Sequence, residues 1–514
     1  MHDLLRRAGP IGIGTIITMA VAASASAGQM QLPSDVDMTC PVSEDTFKSW
    51  LKDNPGSTGP NWHAPTNSVF EPASSVTFQA DNNYDTHLCD FYKWGQQMFL
   101  WLTSPDTSDG SGWVLNGPAI FNVLPAKDGH RKLQAHDSGT ETLELALRDT
   151  KPDKIEETGQ AGGDSGVLMS QTKSLVYYGV HVNDLYAYFL TGHKDQGTKP
   201  PLGSALKFPR TSDDMNAVTT YAGSLSPSVT IDDPQTLAME LKTSWVRADT
   251  LSNPGAYFTI SGTIPTYAPV GGASVPTWQP SGTEKTELAL VGMHVVGTLQ
   301  DHPEFVWASF EHVANAPNAP YYYTDASGQT KQGTDPSGAG YLFKAKGTAA
   351  FESEANVECM HADKGKIVAN TASDGKLVCQ GGIAPSNTVR LNPWGAEAGD
   401  QAAPAVKNNT LLISNNISVR DWLASDDVRR NYVQIGSLWT APSKPKGVDA
   451  PIPTFSDPMT SAQRGSLQLA NATMETYEQN KNCFACHAVS TSQKPDGQTF
   501  DYLSHVFGQI DPLD

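Results

Sequence analysis

The chain has 514 residues, a formal net charge of −19, 39% hydrophobic residues and 11 tryptophans. This apolar content is enough to build a packed core, which excludes an intrinsically disordered scaffold. The negative charge disfavours nucleic acids and anionic membrane surfaces as partners. It would steer a basic protein partner, although solubility alone also explains an acidic surface.

The N-terminal residues are typical of an export signal. Arg6 and Arg7 precede an apolar run over residues 8–23, and Ala25-Ser26-Ala27 is a small-residue cleavage site. The run is shorter than the ~20 residues that a membrane-spanning helix needs. We therefore expect residues 1–27 to be a cleaved signal peptide, the protein to be exported to the periplasm, and the mature chain to have no membrane span.

Secondary structure is predicted to be mainly β. Proline and glycine number 35 and 44 and are mostly scattered, as in short strands joined by many turns. Alternating, β-branched or aromatic windows predict strands over residues 174–182, 256–264, 288–296 and 304–310. Helical periodicity predicts helices over residues 90–102, 236–246 and 466–478.

A Cys-x-x-Cys-His motif, formed by Cys483, Cys486 and His487, lies near the C-terminus. On a helix two thiols three residues apart share one side, so both can reach the vinyl groups of one haem. The next imidazole can then coordinate the iron. A zinc site would need two more nearby ligands, and the chain has no second Cys-x-x-Cys. We predict one covalent haem c with His487 as the proximal ligand.

The remaining cysteines are Cys40, Cys89, Cys359 and Cys379. Four thiols allow three pairings, of which Cys40–Cys89 with Cys359–Cys379 is the most local. Disulfides fit an oxidising compartment, and buried free thiols are the alternative.

The segment that carries the motif is too short to bury a haem alone. Residues 441–465 are rich in proline and predict a linker. We expect a mainly β (α+β) large domain over residues 28–440 and a short α-helical, cytochrome c-like haem-binding lobe over residues 466–514. The last methionine, Met474, precedes the motif, so the large domain is expected to supply the distal wall of the haem pocket.

The sixth iron ligand is left open by the sequence. We predict His294, from the chemically dense stretch 291–317, as the distal ligand. The other possibilities are an open position or one of the following: Met293, His302, His312 and His505. Two further interpretations of the stretch are a second metal site of three histidines with Glu311, or ordinary structural histidines.

His505 lies in the sequence Leu503-Ser-His-Val-Phe-Gly508. This stretch is similar to the Leu-x-x-x-Phe-Gly sequence on the proximal side of ordinary c-type cytochromes. That similarity implies a supporting hydrogen bond to the axial histidine or a propionate, with direct ligation as the alternative.

Four stretches together resemble exported, single-haem "cytochrome c family" proteins of proteobacteria. They are CDFYKWGQQMFLWL, VGMHVVG, HPEFVWASFEHVANAP and CFACH…LSHVFG. The resemblance implies covalent haem at Cys483 and Cys486 with His487 as proximal ligand, but no defined reaction. The function expected first is one-electron transfer with a redox partner protein, which the charge suggests is basic. The alternatives are a haem-dependent periplasmic oxidoreductase whose large domain binds the substrate, and a haem-based sensor or binding protein.

Overall fold

The structure is a computed structural model. It describes residues 28–52, 61–70, 88–106, 112–135, 143–144, 166–194, 202, 207–336, 339–347, 355–440, 449, 452, 463–488, 500 and 503–513. The predicted signal peptide, residues 1–27, lies outside the described residues, as does most of the predicted linker.

The described part of the chain contains both α-helices and β-strands, numbered here in chain order. The α-helices are α1 (Glu44–Ser49), α2 (Leu88–Leu102), α3 (Asp184–Lys194), α4 (Ser212–Gly223), α5 (Ala403–Trp422) and α6 (Cys483–Cys486). The first strands are β1 (Leu51–Lys52), β2 (Asn61–Trp62), β3 (Ile120–Val123), β4 (Leu133–Ala135), β5 (Leu143–Glu144), β6 (Tyr177–Asn183), β7 (Met239–Arg247) and β8 (Thr259–Pro269). The others are β9 (Thr277–Leu299), β10 (His302–His312), β11 (Tyr321–Thr324), β12 (Thr330–Gly333), β13 (Met360–Asp363), β14 (Lys366–Ala369), β15 (Tyr432–Thr440) and β16 (Gln463–Gly465). Within the described part of the chain, no helix combines the length and the hydropathy needed to cross a bilayer.

One large sheet organises the chain, and the mainly β prediction is confirmed. Its central path runs β16-β15-β10-β9-β7-β6-β3-β4, with antiparallel neighbours throughout. Strand β8 pairs with the first half of β9, beyond the buried centre of the sheet. Strand β16, at the end of the predicted linker 441–465, pairs with β15. The linker prediction therefore overlaps the sheet by three residues.

Strands β9 and β10, where two strands were predicted over residues 288–296 and 304–310, pair in antiparallel orientation, and their register assigns each side chain to a face. Trp307 lies opposite Val296, and Ser309 lies opposite His294. Paired residues point to the same side of a sheet and successive residues to opposite sides. These four residues therefore share one face, which we call the motif face because the C-terminal segment packs on it.

Helix α2 covers the opposite face of the sheet, as the helical periodicity of residues 90–102 predicts. The ring of Phe99 stacks on Phe310 of β10 at a centroid distance of 4.5 Å. The ring of Phe91 stacks on Trp439 of β15 at 4.1 Å. All four rings are buried, so α2 supplies an aromatic layer of the core.

Residues 466–488 lie across the motif face of the sheet. The backbone carbonyl of Thr473 accepts a 2.8 Å hydrogen bond from the Tyr178 hydroxyl of β6. The side-chain hydroxyl of Thr473 lies 2.7 Å from the hydroxyl of Ser244 in β7. Two neighbouring strands thus bind one residue of the segment.

A buried ion pair extends this contact to β10. Glu311 is fully buried and pairs with the guanidinium of Arg390. Its Oε1 also accepts the backbone N–H of Ala472 at 2.7 Å. The amide of Asn471 donates to the hydroxyl of Ser309 at 3.0 Å. These polar contacts therefore help to hold the C-terminal segment in register on the sheet.

Two of the predicted helices are wrong. Residues 236–246 contain β7 instead of a helix. Leu237, Leu241 and Trp245 fit a helical spacing, which explains the prediction. The segment is a strand because β6 and β9 provide hydrogen-bonding partners on both sides. Residues 466–478 form turns. There the side chains of Asn471 and Glu475 accept backbone N–H groups that a helix would need.

The four other cysteines pair as the most local arrangement predicts. Cys40 and Cys89 have a Cα–Cα distance of 5.6 Å, and Cys359 and Cys379 have one of 5.3 Å. The first pair joins the N-terminal segment to α2, and the second closes a loop around β13 and β14.

Gly292 of β9 provides a test of this docking. A Cβ at this position would lie 2.5 Å from Oγ1 of Thr473 and 2.7 Å from Oγ of Ser244. Gly292→Ala should therefore loosen the C-terminal segment and cost about 1–3 kcal/mol of unfolding free energy. Urea unfolding and the protease sensitivity of the segment measure the effect.

Gly297, on the same strand, is the matched control. A Cβ there would have its nearest neighbour at 3.5 Å, a ring carbon of Trp94. Gly297→Ala should leave the protease sensitivity of the segment unchanged. Equal sensitivity in the two variants would show that Thr473 does not dock against Gly292.

Candidate functional site

The Cys-x-x-Cys-His motif begins on the short helix α6. Asn482 caps this helix, and its side-chain oxygen accepts the backbone N–H of Ala485 at 3.0 Å. The side-chain amide of Asn482 donates to Oε1 of Gln463 at 2.9 Å, which ties the helix start to β16. Cys483 and Cys486 are both unpaired and partly exposed. The two thiols therefore remain available on one turn of helix.

His487 is held in one tautomer by the C-terminal residues. Its Nδ1 lies 3.0 Å from the backbone carbonyl of Leu503. A carbonyl oxygen only accepts, so Nδ1 carries the proton and Nε2 keeps its lone pair. Burial, with a further contribution from the neighbouring His505, holds the pKa of His487 well below its usual range. The side chain is thus a neutral imidazole, the form that binds metals.

Two rings confine the imidazole of His487. Trp307 lies at a centroid distance of 4.3 Å and His505 stacks on the ring at 4.0 Å. Nε2 of His505 lies 3.1 Å from the carbonyl of Cys486, so this nitrogen donates to the motif backbone. The hydrogen bond predicted for His505, to the axial histidine or a propionate, stays a prediction, because the observed bond goes to the motif backbone.

The two thiols of the motif are protonated at neutral pH. Burial, followed by the charge of Glu475, raises the pKa of Cys483 well above its ordinary value. Burial also raises the pKa of Cys486. These cysteines therefore lack the lowered thiol pKa of a redox-active Cys-x-x-Cys.

His294 lies on the motif face, as Trp307 does, and its charge contributes to the lowered pKa of His487. The structure thus brings the predicted distal ligand near the motif. Its Nε2 lies 3.0 Å from Oε1 of Glu475, within hydrogen-bond distance. Burial opposes ionisation of Glu475, but the charge and hydrogen bond of His294 leave the pKa of this carboxyl below its usual range. To bind iron, His294 would have to exchange this partner.

The other candidate ligands of the hairpin point elsewhere. Met293 lies opposite Phe310, on the face that α2 covers. Nδ1 of His302 lies 2.9 Å from Oε1 of Glu304, and both side chains are buried. The sheet places these groups away from the motif face.

His312 is also a structural histidine. Its Nε2 donates to the carbonyl of Ala256 at 3.1 Å, its Nδ1 accepts the N–H of Ala314 at 3.2 Å, and its ring stacks on Tyr257. With both ring nitrogens satisfied, His312 has no free metal-binding position. In the described ranges, no group of three or more His, Cys, Asp and Glu side chains could hold a metal ion. The second metal site of three histidines and Glu311 is therefore not formed.

Three functional groups were missed by sequence reasoning. They are the carboxylate of Glu475, the backbone carbonyl of Leu503 and the ammonium of Lys242, whose charge also acts on His487. The structure places Lys242 in β7 directly opposite His294 of β9, a register that the helix predicted over residues 236–246 could not give. No sequence signal indicates the other two, because both contacts depend on the tertiary fold.

Comparison with known proteins finds no relative. The chain matches no described protein family, no curated protein and no solved structure.

The buried His312 predicts how the stability of the folded chain depends on pH in acid. Burial lowers its pKa from 6.5 to about 3, so the unfolded chain binds this proton between those values and the folded chain does not. The contribution of neutral His312 to the free energy of unfolding is fully present above about pH 6.5. It is lost as the pH falls toward 3, by up to ~1.4 kcal/mol per pH unit.

His312→Gln removes this titration. Urea unfolding of the variant should depend less steeply on pH between about 6.5 and 3 than unfolding of the wild type. Equal slopes would contradict the neutral, buried state of His312.

Proposed function

We propose that this chain is an exported c-type cytochrome that carries one covalent haem and transfers single electrons. Cys483 and Cys486 would form the thioether bonds, and His487 would be the proximal ligand. The observation that carries the proposal is the combination at α6: two unpaired thiols one helical turn apart, followed by an imidazole whose Nδ1 bonds a backbone carbonyl, so that Nε2 carries the lone pair.

The donor set fits a haem better than its alternatives. The thiols have raised pKa values, which argues against a disulfide oxidoreductase. Zinc would need further thiolate or imidazole ligands, and the described residues offer no such cluster. When bound, a haem supplies an iron that exchanges one electron, with its potential set by the axial ligands and their surroundings.

The chain itself would hold the cofactor against the sheet. The hydrogen bond from His487 to the Leu503 carbonyl keeps Nε2 available, and Trp307 limits rotation of the ring. We propose that residues 466–514 act as the haem-binding lobe and pack on the sheet. The sheet would supply the wall of the haem pocket that so short a segment cannot form. Membership of the exported single-haem cytochrome group and location in the periplasm belong to the same proposal.

An absorption spectrum tests the proposal. Protein purified from a host with c-type haem maturation is reduced and measured with and without carbon monoxide. The expected result for an electron carrier is a covalent low-spin haem that does not bind carbon monoxide. Rapid binding of carbon monoxide would favour an enzyme or a gas sensor, and the Cys483→Ser/Cys486→Ser double variant provides the haem-free control.

His294→Ala tests the distal ligand. Covalent haem should remain, because the thioethers do not involve His294, but the spectrum should change as the iron loses its sixth ligand. The control is His181→Ala, which removes a buried histidine of β6 that bonds Asn122. An unchanged spectrum in His294→Ala would reject this ligand.

A further inference from the structure

Trp307 is fixed at the centre of the large sheet. It lies in β10 between β9 and β15, opposite Val296 and Leu438. Only 7% of its surface is exposed. Strands on both sides hold its backbone, so the place of this residue in the sheet is set by the sheet itself.

The indole is also a contact between the sheet and the proposed iron ligand. Its centroid lies 4.3 Å from that of His487, with an angle of 47° between the rings. The imidazole is further bound by the Leu503 carbonyl and by the stacked ring of His505. Both of those groups belong to the C-terminal segment, whereas Trp307 belongs to the rigid sheet.

Ring packing, rather than a polar contact, determines where the indole lies. The indole N–H of Trp307 is buried and has no hydrogen-bond partner among the residues that the structure describes. A buried donor without a partner lowers stability. Among the described residues, the contact between Trp307 and His487 is therefore made by the rings alone.

We propose that Trp307 is a positioning residue for His487, and that it thereby tunes the reduction potential of the haem iron. The proposal rests on the proposed function above. Groups that orient a ligating histidine fix its ring plane and its basicity, and their removal typically changes metal affinity or activity 10–100-fold. The axial ligand in turn sets the potential of a haem.

Two substitutions separate the ring from the rest of the side chain. Trp307→Leu removes the aromatic contact. It should change the one-electron equilibrium constant of the haem at least tenfold, which corresponds to a shift of about 59 mV in the reduction potential. It should also change the g-values of the ferric haem, which report ligand orientation. Trp307→Phe keeps an aromatic ring and should retain most of the wild-type potential. If Trp307→Leu does not fold, Trp307→Ile takes its place, since a β-branched side chain suits a central strand.

Trp439→Leu is the matched structural control. Trp439 is a fully buried tryptophan of the neighbouring β15, it also lacks an N–H partner among the described residues, and it stacks on Phe91 of α2. Its loss should lower stability as the Trp307 substitution does, while the potential and the g-values stay at their wild-type values.

Wild-type haem content is measured first, so that the two proposals fail separately. Absence of covalent haem overturns the proposed function. With haem present, a shift in Trp307→Leu that is absent from Trp307→Phe and from Trp439→Leu supports the positioning role. Wild-type potential in Trp307→Leu, or an equal shift in either comparison variant, overturns it.

Discussion

The placement of the motif depends on one buried carboxylate, that of Glu311. It is fully buried, pairs with Arg390, and accepts the backbone N–H of Ala472. Removing one partner of such a pair typically costs about 3–5 kcal/mol, because the remaining charge stays buried and uncompensated. Glu311 therefore fixes three parts of the chain at once: the central strand β10, the loop that carries Arg390 and the start of the C-terminal segment.

The conformation of the motif is stabilised by the contact of Glu311 with the C-terminal segment rather than by helix α6 itself. Four residues are too few for an isolated helix to be stable, so α6 relies on its Asn482 cap and on the strand to which that cap is tied. The sheet then contributes Trp307, and the residues after the motif contribute the Leu503 carbonyl. The orientation of the His487 ring is thus a property of the large sheet as much as of the C-terminal segment.

Sequence patterns could predict the parts of the structure that depend on local spacing. The motif at Cys483–Cys486, the helix α2 with its buried aromatic stripe and the pairing of β9 with β10 all follow from periodicity or fixed spacing. Strand β7 could not be predicted with the same rules, because its apolar residues fit two periods and only its neighbours decide between them. The pairing of His294 with Glu475 joins residues 181 positions apart, and no spacing rule reaches that far.

The most direct test of the account is the mass of the C-terminal proteolytic peptide from protein made in a host that matures c-type haem. With covalent haem attachment, the peptide containing Cys483 and Cys486 carries the mass of one haem, bound through both thiols. A peptide of unmodified mass, with both thiols free to react with an alkylating reagent, would contradict it.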